Sequence, residues 1–266
     1  MNVLARLTLA CVSLIVIGLT FASISDAKID PETIVGMWLF DEGKGKVAKD
    51  SSENGNDGEL MNGPKWVDGQ FGKALEFDGQ DDYVNAGDAE ILKPTADVTF
   101  VAWLYWIGGN YVLASGGQTS STGYAITHNP DTNQIWFGVS TGKKSANTGY
   151  IKAPPRKVWH HLAGAYDDAK GELIAYVDGK KYATVKANGN VLENKWPAFH
   201  IGKPNNTDAY YIQGIIDEVA VFNVPLTEDD INAIMTRGLE KASTVSAAGK
   251  LATSWGFIKT TLDYSN

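Results

Sequence analysis

Three acids lie close together in the stretch FDGQDDYVNAG, namely Asp78, Asp81 and Asp82. Carboxylates at this spacing suit a catalytic pair, a metal-binding loop or a tight turn. Retaining glycoside hydrolysis needs two carboxylates about 5 Å apart. On one strand face this requires alternating acids such as E-x-D-x-x-E, a string that the chain lacks. Gly79 and Gln80 are typical of a hairpin turn, so the stretch is predicted to be a strand, a turn and a strand whose acids satisfy the turn.

Other residues that could perform catalysis do not form a recognisable constellation. Asp217 and Glu218 are adjacent in GIIDEVAVF, and His160 and His161 are adjacent in WHHLAGAYD, so strand alternation predicts that each pair is split between two faces. The sequence contains no G-x-S-x-G nucleophile elbow and no H-E-x-x-H zinc motif. Cys11 is the only cysteine. We therefore predict that the protein is not an enzyme.

Oxygen-bearing side chains alternate in residues 50–58, DSSENGNDG, with a glycine at the bend. Asp50, Asn54 and Asn56 are the kind of ligand that calcium prefers. The glutamate that closes a typical calcium loop at its twelfth position is absent, since Met61 stands there. A calcium site here would therefore need a distant carboxylate, and an Asx-rich surface turn remains an equal alternative.

The charge of the chain restricts its partners. It has 266 residues and a formal net charge of -8, with no basic cluster. A protein that binds nucleic acid needs clustered Lys and Arg to neutralise phosphates. Nucleic acid is therefore excluded as an expected partner.

The N-terminus has the pattern of a secretory signal peptide. Arg6 precedes the uncharged run LTLACVSLIVIGLTFAS, and SDA supplies small residues before a cleavage point after Ala27. An uncleaved membrane anchor is the alternative, because the run is nearly long enough to span a bilayer. With residues 1–27 removed, the chain would have no cysteine and no membrane span. We expect a secreted or cell-surface protein whose rigidity comes from a large core or a bound cation.

The remainder of the chain consists of short strand-like runs separated by Gly, Asn, Asp and Pro, which is typical of a two-sheet sandwich. In VTFVAWLYW, alternation places Phe100 and Leu104 on one face, and Trp103 and Tyr105 on the other. One short helix is predicted near the C-terminus, with Thr227 as its N-cap. Residues 28–238 are predicted to form the domain, and residues 239–266 a linker and a short apolar tail.

Several strings occur in a characteristic order. They are WLFDEGKGKVAKDSSENGNDGEL, GKALEFDGQDDYVNAG, VTFVAWLYW, VWHHLAGAYDDAKGELIAYVDGK, HIGK and GIIDEVAVFNVPLTEDDI. Together they resemble the laminin-G-like jelly-roll domains of the concanavalin A-like lectin and glucanase superfamily, over residues 34–237. The resemblance implies an all-β fold of two antiparallel sheets, a jelly-roll sandwich, with one short C-terminal helix. It also implies a binding or adhesion module without catalysis.

The resemblance also implies a structural calcium ion, since many related domains carry one. The residues that match best are Asp50, Asn54 and Asn56, with Asp217 as the distant carboxylate. Asp41 is a further candidate ligand.

Strand alternation suggests aromatic residues that could contact a ligand. Trp103 and Tyr105 are predicted to form the floor of a concave sheet, and Trp136 and Tyr176 could join them from neighbouring strands. Packing inside the sandwich is the alternative for each of these rings. The polar, glycine-rich loops at residues 115–124 and 203–211 are a second predicted location.

Two functions remain open at this point. The first is an exported, non-catalytic carbohydrate-binding module that is stabilised by calcium and recognises an extracellular glycan. The second is a protein-interaction or cell-surface adhesion module without a sugar ligand, whose partner is a surface protein.

Overall fold

A computed structural model describes residues 29–115, 123–140, 145–186, 198–205 and 207–243. In these residues seventeen strands form two antiparallel sheets. The strands are β1 (Ile34–Trp38), β2 (Val47–Ala48), β3 (Gly58–Met61), β4 (Lys65–Asp68), β5 (Lys73–Asp78), β6 (Tyr83–Asn85), β7 (Val98–Gly109), β8 (Tyr111–Ala114), β9 (Tyr124–Asn129), β10 (Gln134–Ser140), β11 (Ser145–Asn147), β12 (Ile151–Lys152), β13 (Trp159–Asp167), β14 (Glu172–Val177), β15 (Lys180–Lys186), β16 (His200–Ile201) and β17 (Ile212–Phe222). Helices α1 (Glu228–Arg237) and α2 (Leu239–Ser243) follow, and two short 3-10 turns lie at Pro31–Thr33 and Glu90–Leu92.

The predicted signal peptide, residues 1–27, lies outside the described residues, as does the tail from residue 244 onward. None of the described helices is long and apolar enough to cross a membrane.

The two sheets have different strand orders. The eight-stranded sheet runs β15-β14-β13-β7-β17-β5-β4, and β1 also pairs with β17. The nine-stranded sheet runs β11-β10-β9-β8-β16-β6-β3-β2, and β12 also pairs with β10. This architecture confirms the predicted all-β, two-sheet antiparallel jelly roll.

The main hydrophobic core lies between the two sheets, and alternation along the strands builds it. Phe100 and Leu104 of β7 share one face in this core, as alternation predicted, and Val98 and Ala102 of the same strand join them. The opposite face of β7 points away from the second sheet, and Val101 packs there against a different cluster. Burying one face of each strand against the other sheet fixes the register of the sandwich.

The acidic stretch connects the two sheets. β5 ends at Asp78 in the eight-stranded sheet, and β6 begins at Tyr83 in the nine-stranded sheet. The predicted strand, turn and strand are present, but the hairpin interpretation is wrong because β5 and β6 do not pair with each other.

Strict alternation also fails in the middle of β17. Ile216 and Val219 both belong to the core between the sheets, so the two acids between them lie outside it. The pairing with β7 shifts register between Asp217 and Ala220, and Glu218 has a φ of 49°. This β-bulge inserts one extra residue. The prediction that Asp217 and Glu218 point to opposite faces is therefore wrong.

Helix α1 confirms the predicted C-terminal helix. Thr227 Oγ1 accepts a hydrogen bond from Asp230 N at 3.2 Å, and Asp230 Oδ2 accepts one from Thr227 N at 3.0 Å. These two bonds form a capping box. Gly238, with a φ of 81°, follows the last turn.

Helix α2 was not predicted, and it lies within the segment expected to be a linker. Leu239 and Ala242 are 1% and 3% exposed and pack with α1 on the outer face of the eight-stranded sheet. The packed structure therefore extends five residues beyond the predicted boundary at residue 238.

Candidate functional site

A row of three side chains crosses the outer face of the nine-stranded sheet. Tyr111 of β8 pairs with Thr127 of β9, which in turn pairs with Trp136 of β10. Their strand neighbours, such as Ile126 and Phe137, point into the core, so these three point outward. They are only 4%, 7% and 8% exposed. The row is therefore a packed floor rather than a fully open platform.

The indole of Trp136 lies along its own strand. A Cβ atom placed on Gly138 would come within 2.7 Å of Trp136 Cη2. The absence of a side chain at Gly138 allows the ring to lie over the backbone. The large ring and the small residue together give the sheet a flat, apolar surface at this point.

Two exposed tyrosines lie beside this floor. Tyr150 is 55% exposed and Tyr210 is 43% exposed. Burial, followed by the neighbouring phenols of Tyr150 and Tyr210, raises the pKa of Tyr111 above its ordinary value. Hydrogen bonds to their backbone carbonyls hold both exposed residues in place. Gln134 Nε2 donates to Tyr150 O at 3.3 Å, and Tyr111 N donates to Tyr210 O.

Further aromatic rings extend this outer face toward β16 and β6. Tyr83 of β6 contacts His200 of β16 edge-on, with ring centroids 5.1 Å apart, and lies 6.5 Å from the ring of Tyr211. Lys203 Nζ lies over Tyr83, 4.6 Å from the ring centroid. The outer face of the nine-stranded sheet thus carries a band of aromatic side chains. We call this band the aromatic face, and its members are Tyr83, Tyr111, Trp136, Tyr150, Tyr210 and Tyr211.

The structure does not bring the four predicted ligand-binding rings together. Trp136 belongs to the aromatic face, whereas Trp103, Tyr105 and Tyr176 lie on strands of the eight-stranded sheet. The expectation that they share one floor is wrong, because alternation assigns a side chain to a face of its strand but does not say to which sheet the strand belongs.

The three rings on the eight-stranded sheet are in covered or partly covered positions. Trp103 is 7% exposed and contacts Phe71 and His161. Tyr176 is 4% exposed and belongs to the cluster beneath the helices. Tyr105 is half-buried with its ring against Trp159. Packing, the alternative noted for these rings, describes Trp103 and Tyr176.

Sequence reasoning missed most of the aromatic face. The predicted loop at residues 203–211 contains Tyr210 and Tyr211, so it indicated part of the surface. Most of the other predicted loop lies outside the described residues. No sequence pattern indicated Tyr111 or Tyr150, because these two residues come together only through the pairing of strands that are distant in the sequence.

The predicted calcium loop is a hydrogen-bonded turn. Asp50 Oδ1 accepts from Met37 N at 3.0 Å and from Ser52 N at 2.9 Å, and Asp50 Oδ2 accepts from Asn56 N at 2.9 Å. Asn54 and Asn56 donate from their amide nitrogens to the carbonyls of Ile34 and Val35 in β1. These contacts are those of an Asx-rich turn that fastens the loop to β1, and calcium binding there stays a prediction.

The other two predicted metal ligands hold a different loop. Asp41 Oδ1 accepts from Lys73 N at 2.8 Å, and Asp217 Oδ2 accepts from Phe71 N at 2.9 Å. Both acids therefore bind the turn between β4 and β5. The donor atoms of Asp41, Asp50 and Asp217 are not gathered as a calcium ion requires, since the one acidic trio whose oxygens lie within 4.8 Å of one another in the described residues is a different one.

That trio is Asp78, Asp81 and Asp82. The turn role predicted for these acids is present: Asp78 Oδ1 accepts from Gln80 N at 2.8 Å, and Asp82 Oδ2 accepts from Asp78 N at 3.1 Å. Burial, more than the neighbouring acids, raises the pKa of Asp82. Their convergence was not predicted.

Two acids with strongly altered pKa values lie in the bulge of β17. Burial raises the pKa of Asp217 to about 8 and that of Glu218 to about 7. Asp217 is bound to the turn at Phe71, and Glu218 accepts a hydrogen bond from Leu239 N at the start of α2. Acids with shifted pKa values are often catalytic, but Asp217 and Glu218 are only 0% and 4% exposed and lie beneath other elements. Their hydrogen bonds hold the β4–β5 turn and the start of α2 against β17.

Comparison with known proteins identifies the superfamily to which this architecture belongs. A laminin G family model, described as concanavalin A-like lectin/glucanases superfamily, matches residues 78–232. The match covers more than half of the chain, so the chain belongs to this superfamily. No curated protein sequence gives a match.

Solved structures share the fold at low sequence identity. Domain 4 of AbnA, an extracellular arabinanase from Geobacillus stearothermophilus in complex with arabinotriose, is 18% identical with a TM-score of 0.60; the match covers 77% of this chain and 98% of that one. The binding domain of Paraclostridial Mosquitocidal Protein 1 is 14% identical with a TM-score of 0.60, over 77% and 52% of the two chains. A Trypanosoma rangeli sialidase in complex with sialic acid is 16% identical with a TM-score of 0.58, over 80% and 34%. The chain thus spans about half of the toxin binding domain and about a third of the sialidase.

Proposed function

We propose that this protein is an exported, non-catalytic module that binds an extracellular glycan on the aromatic face. The observation that carries this proposal is the band of aromatic side chains on the outer face of one sheet, with Tyr150 and Tyr210 exposed beside a packed floor. Aromatic rings offer sugars an apolar surface, while tyrosine hydroxyls can hydrogen-bond with sugar hydroxyls. The domain of the arabinanase with a similar fold, which was solved with arabinotriose, supports the same class of ligand.

The positions of Asp217, Glu218 and Asp50 support a role without catalysis. Asp217 and Glu218 are buried beneath the β4–β5 turn and helix α2, on the sheet opposite the aromatic face. Asp50 accepts hydrogen bonds from backbone N–H groups of its own loop and β1. A carboxylate pair for glycoside hydrolysis must flank the bound sugar, and these acids do not face the aromatic surface.

Calcium is part of the proposal as a structural ion rather than as a participant in chemistry. Oxygen donors occur at two separate places, the loop that begins at Asp50 and the trio that includes Asp82. Calcium prefers carboxylate and carbonyl oxygens; the trio offers three converging carboxylates, whereas backbone N–H groups already engage the Asp50 carboxylate.

The test is a glycan array probed with the purified protein, in calcium and again in EDTA. We compare the wild type with a double variant, Tyr150→Ala and Tyr210→Ala, and with Tyr182→Ala as the matched control. Tyr182 is 47% exposed on the edge strand β15 of the other sheet. Its hydroxyl donates to Lys152 O in β12 at 3.1 Å, so Tyr182→Phe is measured beside it to separate the loss of this bond from the loss of the ring. Loss of two stacking rings is expected to weaken binding on the order of tenfold or more, whereas the control should bind like the wild type.

Other outcomes would redirect the proposal. Equal weakening by Tyr182→Ala would place the ligand elsewhere on the domain. Binding to no glycan in either buffer would contradict the proposal and favour the alternative, a protein-interaction or adhesion module. Turnover of a bound polysaccharide would contradict the non-catalytic role.

A further inference from the structure

We propose that Lys203, together with Tyr83, Tyr211 and His200, forms a subsite for the carboxylate of an acidic sugar, and that Asp208 occupies this subsite in the free protein. The inference rests on the proposed function, because it concerns one end of the aromatic face. It adds a substrate class, glycans that carry a uronic acid or a sialic acid.

The ammonium group of Lys203 is placed unusually for a surface lysine. The residue is only 5% exposed, and its Nζ lies 4.6 Å from the ring centroid of Tyr83 and 5.4 Å from that of Tyr211. Burying an ammonium group is costly unless its charge is compensated. The two ring faces provide part of that compensation through cation–π interactions.

Among the described residues, the remaining compensation comes from one exposed carboxylate, that of Asp208. Asp208 Oδ1 lies 2.8 Å from Lys203 Nζ, and the Asp208 side chain is 92% exposed while that of Lys203 is 6% exposed. Burial alone would lower the pKa of Lys203, but the hydrogen bond to Asp208, the neighbouring phenol of Tyr211 and the charge of Asp208 together outweigh it and raise the pKa. An exposed partner is held weakly because water competes for it. A carboxylate on a ligand can therefore take its place on Lys203.

His200 supplies a neutral ring beside this cation, in edge-on contact with Tyr83. The residue is 8% exposed, and its Nδ1 has no hydrogen-bond partner among the described residues. Burial and then the charge of Lys203 lower its pKa to about 4, and the ring donates to the Pro204 carbonyl. The ring is therefore neutral at neutral pH, with Nδ1 as a free acceptor. Leaving such an atom unpaired is costly, but Nδ1 is covered in this structure, so His200 contributes a neutral aromatic ring beside the cation.

These groups match the chemistry of a sugar acid. The cation pairs with a carboxylate, and the tyrosine rings pack on a pyranose face. A neutral sugar would not replace Asp208 on Lys203. The subsite lies next to Tyr111, because Gly202 N bonds to Val112 O where β16 runs beside β8. One oligosaccharide could therefore contact both the subsite and the exposed tyrosines.

The test measures the affinity of the full protein for two acidic probes and their neutral counterparts. An oligogalacturonate is compared with its methyl-esterified form, and a sialylated lactose with lactose. The two pairs distinguish a uronic acid within a chain from a terminal sialic acid. Wild-type protein is expected to bind one acidic probe at least about fivefold more tightly than its neutral counterpart.

Two substitutions separate the subsite from the rest of the face. Lys203→Met should abolish the preference for the acidic probe, so that the ratio of its affinities for the acidic and neutral probes falls to about one. Asp208→Asn removes the internal competitor and should increase affinity for the acidic probe about threefold to tenfold. Asp68→Asn is the matched control, because Asp68 is also an exposed partner of a lysine, at 89% exposure, but lies on β4 of the other sheet.

The outcomes distinguish this inference from the proposed function. Binding of neutral probes with no preference for acidic ones, or no gain from Asp208→Asn, would overturn the acidic subsite and leave glycan binding intact. Binding of no probe of either kind would overturn both. If Lys203→Met fails to fold, Asp208→Asn decides alone, because that side chain is exposed.

Discussion

Replacing Asp217 by asparagine should change how the stability of the protein depends on pH. The substitution removes the charge but keeps a side-chain carbonyl that can accept the hydrogen bond from Phe71 N. In the wild type, burial raises the pKa of Asp217 from 3.8 to about 8 and that of Glu218 from 4.5 to about 7. The folded state therefore holds these two protons more tightly than the unfolded chain does.

The sign of the effect follows from linkage. When the folded pKa is raised, the free energy of unfolding is highest below the unfolded pKa and falls as pH rises through the folded pKa. Burial lowers the pKa of three histidines, His128, His161 and His200, from 6.5 to about 4. These histidines make the free energy of unfolding rise with pH between about pH 4 and 6.5, which is opposite to the effect of the two acids. At about pH 6.5 these histidines are still half protonated in the unfolded chain, so they partly offset the decline that the two acids cause above this pH. The wild type and Asp217→Asn contain the same histidines, so the difference between the two proteins isolates Asp217.

The size of the effect follows from the two pKa values. Between about pH 6.5 and 9, ionisation of Asp217 should lower the free energy of unfolding by roughly 2 kcal/mol, and that of Glu218 by roughly 1 kcal/mol more. Asp217→Asn should remove the larger share, so the variant should lose less than about 1 kcal/mol over the same range.

Urea unfolding at several pH values in this window measures the effect directly. Asp68→Asn serves as the control, because its exposed carboxylate should leave the wild-type decline unchanged. A decline in Asp217→Asn as steep as in the wild type would refute the interpretation of Asp217 as a buried acid that is protonated at neutral pH. A wild type with no decline would refute it as well.

Three further predictions concern packing, capping and calcium. Gly36→Ala places a Cβ within 2.6 Å of Trp38 Cη2 and should cost about 1–3 kcal/mol of unfolding free energy, measured by urea denaturation; an unchanged midpoint would contradict the tight contact. Thr227→Ala removes the capping box of α1 and should cost about 1 kcal/mol, whereas Thr227→Ser should restore most of it. Calcium should raise the melting temperature relative to EDTA if the ion is structural; Asp50→Asn and Asp82→Asn then show which of the two loops binds it, and no shift in the wild type would contradict calcium binding.

Local sequence patterns were sufficient for the architecture. Alternation in β7 correctly separated Phe100 and Leu104 from Trp103, because residues on a strand alternate between two faces regardless of context. The predicted N-cap, Thr227, correctly located the start of α1, because capping is a contact within one turn of helix.

The site depended on information that is not local. Trp136 and Trp103 have similar surroundings in sequence, yet they lie on different sheets, which only the pairing of β10 with β9 and of β7 with β13 decides. The bulge at Glu218 could not be predicted, since its positive φ occurs at a residue that does not favour it. The spacing of Asp50 and its neighbours suggested metal ligands, although backbone N–H groups occupy the Asp50 carboxylate.

The face on which a sugar binds can be observed through the tryptophan side chains. We would record the indole N–H signals in a nitrogen–proton correlation spectrum while titrating the strongest binder from the glycan array. Trp136 lies on the aromatic face, and Trp103 lies on the opposite sheet beneath Phe71. A saturable shift of the Trp136 signal with an unchanged Trp103 signal is the expected result. A shift of Trp103 with Trp136 unchanged would contradict glycan binding on the aromatic face.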